Sequence, residues 1–270
     1  MSDTTPAVAA GIRRGYADCA EGQIHYRVAG DPASPVVCFF HQTASSGAMF
    51  EKVMARLARD YRCIAFDSPG FGQSYQPAAI PSLGFLADRL MEAIDDLGIE
   101  RFHACGHHTG GCVAVEMPVR YPGRVESLTV IGPVLASEAE KAEYRKTFVK
   151  PFEIEETGAF LKTAWDYLTL IGAGSSVELH TREMVDHLIA HRTMPMAFSG
   201  VWDQDVAGFF KQVDVPMLIM CSEKDVLWPL FERAKALRPD AEARVVGGSD
   251  YQPDEDPDGI AAAMREFLAK

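Results

Sequence analysis

Two adjacent histidines are the residues with the clearest potential for chemistry. His107 and His108 stand between Gly106 and Gly110, where an apolar stretch at 101–106 ends and a helical pattern begins. Glycines on both sides allow the sharp turn that joins a buried strand to a helix, and a side chain held in such a turn points to the floor of a pocket. Imidazole titrates near neutral pH, so this segment predicts a general base or a nucleophile.

Two carboxylates follow late in the chain. Asp225 ends the segment SEKD, directly after the apolar run at 215–222, and Asp250 follows a Gly-Gly-Ser segment. A carboxylate that binds one imidazole nitrogen fixes the tautomer and makes the other nitrogen a stronger base. Each aspartate also has a purely structural interpretation, Asp225 as a helix-capping or turn residue and Asp250 as a solvated turn residue.

Alternating strands and helices must position these groups. Short apolar runs predict buried strands, and apolar residues at helical spacing predict helices between them. This alternation predicts an α/β fold with an eight-stranded, mostly parallel sheet, and two early alternating segments predict an antiparallel edge. The predicted strands are 14–19, 22–29, 35–41, 61–67, 101–106, 125–132, 215–222 and 243–248, and the predicted helices are 46–59, one ending near Gly98, 109–121, 229–237 and 256–269.

Residues 134–212 interrupt this alternation with helical patterns throughout. A helical block between two strands predicts a lid over the carboxyl ends of the strands, where open α/β sheets bind ligands. The predicted domains are a core of residues 1–133 and 213–270 and a helical cap of residues 134–212. The cap is rich in aromatic residues, most of which would fill its own core. Its predicted helices are Glu138–Lys146, Phe152–Leu170, Val177–Ala190 and Phe198–Phe210.

From about residue 14 to the end, the chain resembles the α/β-hydrolase fold superfamily in its motifs. Gly106–Gly110 lies where that family has its G-x-S-x-G nucleophile elbow. Asp67–Ser74 resembles the D-x-P-G-x-G-x-S stretch after the fourth strand, and His41–Thr43 resembles the segment that supplies half of the oxyanion hole. Tyr121–Val125 and Glu255–Pro257 match the links into the sixth strand and the last helix.

The chain departs from that family at two catalytic positions. His108 stands where members carry Ser, Cys or Asp, and Asp250 stands close to the position of the late catalytic histidine. Asp225 matches the acid-bearing loop, and all eight histidines precede it. The chain order of nucleophile, acid and histidine cannot be completed, so ordinary Ser-His-Asp acyl transfer is excluded.

The resemblance nevertheless implies a workable site. In the family, a short nucleophile at the elbow faces a long histidine on the late loop. Here a long imidazole at the elbow faces a short aspartate on that loop, so the two side chains together span about the same distance. His108 can therefore bind Asp250, Asp225 or both through one nitrogen and keep the other nitrogen as a base. The oxyanion hole is implied by the backbone N–H groups of Thr43 and Thr109.

The candidate substrate-binding residues come from the oxyanion segment, the elbow and the cap. Gln42 replaces the usual glycine of the oxyanion segment and places an amide near the pocket. His41 has a structural alternative, tying its loop, and His107 has one because the family often has histidine there without a chemical duty. Trp165 and Trp202 are the candidate pocket walls.

Four functions fit these residues. The first is an enzyme that uses the His–Asp pair as a general base on a small apolar or aromatic carbonyl compound, by ester, lactone or C–C hydrolysis or by lyase-type chemistry. The second makes His108 a covalent nucleophile. The third is a cofactor-free oxygenase, although such family members keep the late histidine that this chain lacks. The fourth, from a different class, is a small-molecule binding protein on a dead hydrolase scaffold.

Composition narrows the partners. The chain has 26 Lys and Arg against 38 Asp and Glu, a formal net charge of −12, which argues against nucleic acid because phosphate backbones require basic patches. No apolar run reaches the roughly 18–20 residues of a membrane span, and the N-terminal residues lack the order of a secretory signal. We therefore expect a cytoplasmic protein with a small-molecule substrate and no membrane partner, while a homodimer stays open.

The cysteines predict free thiols. Most of the six lie inside or at the end of apolar runs, where cysteine behaves as a small core residue. Cys105 and Cys112 bracket the two histidines, but the strand-to-helix turn splays these side chains to different faces. We expect neither a metal nor another cofactor.

Overall fold

The computed structural model describes residues 11–148 and 154–270. In these ranges eight strands form one sheet in the order β1-β2-β4-β3-β5-β6-β7-β8. The predicted number of strands is confirmed, and each lies within a few residues of its predicted range. The strands are β1 Arg13–Cys19, β2 Gly22–Ala29, β3 Val36–Phe40, β4 Arg62–Phe66, β5 Phe102–His107, β6 Val125–Ile131, β7 Met217–Cys221 and β8 Glu242–Val245.

The sheet is mixed, which corrects the expectation of a mostly parallel one. β2 pairs antiparallel with both of its neighbours, β1 and β4. The ladders from β4 through β3, β5, β6 and β7 to β8 are parallel. The short β1–β2 connection accounts for the first of these pairs, because strands joined by a tight turn can only pair antiparallel. This pair confirms the predicted antiparallel edge, and the antiparallel pairing of β2 with β4 joins that edge to the parallel strands.

The helices of the described ranges cover both faces of the sheet. Along β3, Cys38 and Phe40 belong to one buried apolar cluster and Val37 and Phe39 to another, as alternate side chains of a fully buried strand must. The helices are α1 Glu51–Leu57, α2 Leu83–Asp96, α3 Thr109–Arg120, α4 Glu138–Phe148, α5 Ala159–Leu170, α6 Val177–Ile189, α7 Met194–Asp203, α8 Val206–Gln212, α9 Trp228–Leu237, α10 Gln252–Glu255 and α11 Pro257–Leu268.

The segment between β6 and β7 holds α4 to α8, with two differences from the predicted helices. The helix predicted over Phe152–Leu170 begins at Ala159, after Gly158 in a left-handed conformation, and the first residues of that prediction lie outside the described ranges. The helix predicted over Phe198–Phe210 is two helices. The side chain of Asp205 accepts a hydrogen bond from the backbone N–H of Gly208 (2.9 Å) and so starts α8 anew.

Asp67 explains the glycine-rich motif that follows β4. Its Oδ1 accepts hydrogen bonds from Arg27 Nη1 (2.7 Å) and the N–H of Gly47 (2.8 Å), and its Oδ2 accepts from His25 Nδ1 (2.8 Å). Burial alone would raise the pKa of Asp67, but the bond from His25 and the charge of Arg27 outweigh it and lower the pKa to about 2. Gly72 leaves room for this carboxylate, since a Cβ there would lie 2.2 Å from Oδ2. The motif is therefore a structural junction.

All six cysteines are free thiols, as predicted. None of the helices in the described ranges combines the length and apolar character that a membrane crossing requires.

Candidate active site

The turn between β5 and α3 holds His108 in a strained backbone conformation. His108 has φ 48° and ψ −112°, and it is the only non-glycine residue with positive φ in the described ranges. A Cβ at Gly106 would lie 2.2 Å from the carbonyl oxygen of Gly110, and a Cβ at Gly110 would lie 1.9 Å from that of Phe40. Only glycine fits at both positions. Strain of this kind persists where the surrounding structure enforces it, typically at functional sites.

Asp225 holds the imidazole of His108. His108 Nε2 and Asp225 Oδ2 are 2.8 Å apart, and the Asp225 side chain is fully buried behind the ring. Asp225 Oδ1 accepts a hydrogen bond from the N–H of Leu227 (2.7 Å). The Nδ1 atom of His108 has no hydrogen-bond partner among the described residues. One nitrogen is therefore fixed and the other is free.

The pKa values of this pair move in opposite directions. Burial opposes the charged form of His108, but the carboxylates of Asp225 and Asp250 outweigh burial and raise the pKa of His108 above its usual value. Burial likewise opposes the charged form of Asp225, yet the charge and hydrogen bond of His108 lower the pKa of Asp225 to about 2. The pair is a basic imidazole beside a permanently ionised carboxylate.

Gly132 lets the backbone approach the pair closely. A Cβ at this position would lie 2.2 Å from His108 Cδ2, 2.4 Å from Nε2 and 2.9 Å from Asp225 Oδ2. Gly132 follows β6 directly and has a φ of 61°. The imidazole thus packs against bare backbone at the end of the neighbouring strand.

A hydrogen-bond chain extends behind His108. The side-chain amide of Gln252 donates from Nε2 to Asp225 Oδ2, so its Oε1, 2.6 Å from His107 Nε2, must accept a hydrogen bond from that nitrogen. His107 is fully buried, and its ring stacks on that of His108 with centroids 4.1 Å apart. Burial, followed by the charge of His108, holds the pKa of His107 well below its usual value. Sequence reasoning missed Gln252, and no motif marks it.

Asp250 lies beside His108 without bonding to it. Its Oδ1 accepts a hydrogen bond from the N–H of Val226 (2.9 Å), and its Oδ2 has no partner among the described residues. Burial is the main reason that the pKa of Asp250 rises to about 6, although the charge of His108 opposes the rise. Of the two carboxylates that were predicted to bind His108, only Asp225 does so in this structure.

A cavity of about 200 Å³ lies above the turn, between the sheet and the inserted helices. Within the described residues, no lysine or arginine lines it. Its polar lining residues are Gln42, Thr43, His108, Thr109, His187 and Asp250. Its aromatic and apolar lining residues are Val134, Tyr144, Phe148, Tyr167, Ile171, Met194, Phe198, Val201, Trp202, Val226, Leu227 and Tyr251.

Three residues predicted to bind substrate do not line this cavity. His41 is buried, with its Nδ1 on the carbonyl of Gln42 (2.7 Å) and its Nε2 accepting from the N–H of Ser68 (2.9 Å), so it ties the loop after β3. His107 is buried in the chain described above. Trp165 stacks on His180, with ring centroids 3.5 Å apart. Local hydrogen bonds and stacking occupy these side chains.

Thr43 and Thr109, whose backbone N–H groups are predicted to form the oxyanion hole, both line the cavity. Thr109 is the first residue of α3, where helix N–H groups have no intrahelical partner. Thr43 lies in the loop after β3, and neither N–H donates a backbone hydrogen bond within the described ranges. Both N–H groups are therefore available to a bound oxygen, and the N-terminus of α3 favours negative charge there.

His107, His108 and Asp225 are close enough together to be considered as metal ligands, with one donor atom of each within 4.8 Å of the others. Asp225 Oδ2 already accepts from His108 and Gln252, and His107 Nε2 is bound to Gln252. The donor atoms that a metal would need are thus already engaged in hydrogen bonds with one another and with Gln252. The absence of a metal stays a prediction.

Two further buried acids join helix α6 to the loop after β3. Glu183 accepts a hydrogen bond from Ser45 Oγ (2.6 Å to Oε2), and Asp186 accepts one from Ser46 Oγ (2.8 Å). Burial, reinforced by the charge of Glu183, raises the pKa of Asp186 to about 7. Sequence reasoning missed this junction, which connects the inserted helices to the loop that carries Thr43.

Comparisons with known proteins agree with this fold. Residues 35–161 match a family profile described as the alpha/beta hydrolase fold. The carboxylesterase YbfK of Bacillus subtilis is 27% identical over 268 residues, which cover 94% of this chain and 86% of that protein. The 2-(acetamidomethylene)succinate hydrolase of Mesorhizobium japonicum is 27% identical over 262 residues, which cover 92% of each chain.

Solved structures show the same architecture. A hydrolase from Pseudomonas aeruginosa PA01 superimposes with a TM-score of 0.81 at 20% identity, over 97% of this chain and all of that one. At this identity the likeness concerns the fold alone.

Proposed function

Because the chain has the fold of the α/β-hydrolase superfamily, we propose that it is an enzyme that hydrolyses small, neutral, apolar or aromatic carbonyl compounds, esters or lactones above all. His108 is the general base, Asp225 orients it, and backbone N–H groups stabilise the oxyanion. The sequence relatives described above include a carboxylesterase, which supports hydrolysis over the lyase and oxygenase alternatives.

One observation carries this proposal: Asp225 holds Nε2 of His108 while Nδ1 is left free on a residue that lines the cavity. A binding protein on a dead scaffold has no need of a buried, ionised carboxylate behind a strained histidine. Retaining such a charge is costly, since burial of an ionised carboxylate must be compensated by partners. The arrangement therefore favours proton transfer over simple binding.

The proposed reaction follows from the geometry. His108 Nδ1 takes a proton from a water molecule, and the resulting hydroxide attacks the carbonyl carbon. The carbonyl oxygen becomes negative and accepts hydrogen bonds from the N–H groups of Thr43 and Thr109. General base catalysis is worth roughly 10²–10⁴ and one oxyanion donor roughly 10²–10³ in rate, which together sustain a modest enzyme.

The cavity lining supports the proposed substrate class. Aromatic side chains such as Phe148, Phe198 and Trp202 form much of its wall, and no lysine or arginine of the described residues lies there to pair with an anionic substrate. A neutral compound loses the least hydration on entering such a site.

Helices α4 to α8 take the role of a lid in this proposal. Residues of α4, α5, α6 and α7 line the cavity opposite His108, and covering the carbonyl with apolar side chains excludes bulk water and strengthens the electrostatic contacts inside. The division into a core and a helical cap of residues 134–212 is part of this proposal.

A screen of neutral phenyl, alkyl and lactone substrates with His108→Ala tests the function. We expect kcat/KM to fall roughly 10²–10⁴-fold in this variant. The control is His191→Ala, since His191 lies in the inserted segment between α6 and α7 and does not line the cavity. Unchanged turnover in His108→Ala removes the base from the mechanism, and ligand binding without turnover in the wild-type protein makes the chain a binding protein.

A further inference from the structure

Asp250 has no role in the mechanism proposed above, yet it lines the same cavity as the base. It stands in the loop between β8 and α10 and lines the cavity together with residues of the oxyanion loop after β3. The backbone N–H of Val226 holds Oδ1 in place, which leaves Oδ2 without a partner among the described residues. A buried carboxyl group with one fixed and one free oxygen is arranged to exchange a proton with a ligand.

We propose that Asp250 is a second catalytic residue, the general acid that protonates the leaving group, and that the natural substrates are therefore esters or lactones of basic alcohols. This inference rests on the proposed function, because it needs the carbonyl chemistry that His108 starts. An alkoxide is too basic to leave unaided, whereas a proton from Asp250 lets it depart as an alcohol.

The step balances in atoms and charge. His108 takes a proton from water, and the oxygen of that water bonds to the carbonyl carbon. The tetrahedral intermediate then breaks its bond to the leaving oxygen, which receives the proton of the Asp250 carboxyl group. The products are a carboxylic acid and an alcohol, and a proton passes from the His108 imidazolium to the Asp250 carboxylate to restore both groups.

Burial supports the acid role. Asp250 is only 7% exposed, and its pKa of about 6 keeps part of the population protonated near neutral pH. Asp225 and Asp250 thus flank one imidazole with pKa values pushed to about 2 and about 6. Two carboxylates whose environments separate their pKa values in this way take different roles in an active site.

The experiment compares two esters of the same acid that differ only in the leaving group, an ethyl ester and a p-nitrophenyl ester. We expect Asp250→Asn to lower kcat for the ethyl ester roughly 10²–10⁴-fold. The p-nitrophenyl ester needs no protonation to leave, so its kcat should fall far less than that of the ethyl ester. Asparagine keeps an oxygen that can accept the hydrogen bond from Val226, so the loop keeps its anchor.

Asp225→Asn is the matched comparison, because it acts through the base and should impair both esters alike. Equal losses for both esters in Asp250→Asn, or no loss for either, overturns the proposal. Retention of both activities in His108→Ala overturns the proposed function instead, so the two failures are distinguishable.

The pH profile gives a second readout. The groups that face Asp250 and titrate or carry charge are His108, Asp225, Glu255, Tyr167 and Tyr251. With the ethyl ester, the active enzyme has neutral His108 and protonated Asp250, so the pair holds one proton. Activity should fall when the pair gains a second proton at low pH and when it loses its proton at high pH, which gives a bell-shaped plot of kcat against pH. Asp250→Asn should remove the alkaline limb, and an alkaline limb that persists unchanged in this variant counts against the acid role.

Discussion

At the scale of single residues, the pairing of His108 with Asp225 has consequences that titration can measure. The carboxylate stabilises the imidazolium, which is why the pKa of His108 lies above its usual value despite burial. The protonated form cannot act as a base. With a p-nitrophenyl ester, whose leaving group needs no acid, activity should therefore rise with pH as His108 loses its proton.

Asp225→Asn should move that rise to lower pH and reduce the limiting rate. Loss of an opposite charge at hydrogen-bond distance typically lowers the pKa of a histidine by about 1–3 units. The weaker base then gives a limiting rate reduced by roughly 10²-fold or more. Titration of the His108 ring by NMR measures the shift directly. Asp166→Asn, an exposed aspartate away from the cavity, is the control, and an unmoved titration in Asp225→Asn contradicts the pairing.

The sequence predicted those residues of the site that belong to motifs with fixed spacing. His108, Asp225 and Asp250 follow from the elbow and the late loops, and the structure brings the first two to hydrogen-bond distance. Which of the two carboxylates binds the imidazole depends on how the loops after β7 and β8 pack against the turn of His108. The spacing of residues in the sequence does not predict this packing. Gln252 was missed because its bond to His107 joins residues 145 positions apart.

At the scale of secondary-structure elements, the turn after β6 leaves no room for a side chain beside the imidazole of His108. We predict that Gly132→Ala displaces His108 from Asp225, since the added Cβ would lie 2.2 Å from Cδ2 of the ring. A displacement of about 1 Å at a catalytic group costs roughly 10²-fold in rate. Steady-state kinetics with the p-nitrophenyl ester measures this loss.

Gly123→Ala is the control for backbone strain. Gly123 also has a positive φ, 83°, but a Cβ there meets nothing within 4 Å. Both variants should lose about 1–2 kcal/mol of stability because of the left-handed backbone. Only Gly132→Ala should lose activity, and equal activity in the two variants would show that the contact with His108 is unimportant.

The junction between α6 and the loop after β3 should make stability depend on pH. The folded pKa of Asp186, about 7, lies above its ordinary value of 3.8, so its favourable contribution is present at low pH and is lost as pH rises through about 7. The shift corresponds to a loss of roughly 2–4 kcal/mol between pH 4 and 8. Asp186→Asn keeps an oxygen for Ser46 and removes the charge, so it should be more stable than the wild-type protein at pH 8.

Urea unfolding at pH 5 and pH 8 checks this prediction. The difference between the two free energies of unfolding should be smaller in Asp186→Asn than in the wild-type protein. The exposed Asp166→Asn variant should leave the difference unchanged. A difference that is the same in all three proteins excludes Asp186 as the source.

The elements were predicted with unequal success for a physical reason. Strands such as β3 and β4 are continuous apolar runs, and burial on both faces fixes their extent within one or two residues. In the segment between β6 and β7, local turns decide where helices begin. Gly158 before α5 and Asp205 before α8 set those limits, and helical periodicity alone does not reveal them.

At the scale of the whole molecule, charge should select against anionic substrates. The chain carries a formal charge of −12, the carboxylate of Asp250 lines the cavity, and that of Asp225 lies buried behind His108. A substrate carboxylate near these groups faces a repulsion of a few kcal/mol at a surface-like dielectric. We predict that an ester bearing a free carboxylate has a kcat/KM roughly 10–100-fold below that of its neutral methyl ester analogue.

Steady-state kinetics at low and high salt checks this selectivity. Part of the penalty arises from surface charge and should shrink as salt screens it, while the part that arises inside the cavity should persist. Turnover of the charged ester as fast as that of the neutral one would contradict the proposed substrate class.

The hydrogen-bond chain behind His108 offers no path by which a proton could leave the site. His107 donates from Nε2 to Gln252, and Gln252 donates from its own Nε2 to Asp225, while the far nitrogen of His107, Nδ1, is buried without a partner among the described residues. A proton captured by His108 has no exit through the protein interior. It can pass only to a group in the cavity, such as the Asp250 carboxylate in the reaction proposed above. The protons that each turnover releases therefore reach solvent through the cavity, and a ligand that blocks the cavity after the chemical step would hold them inside.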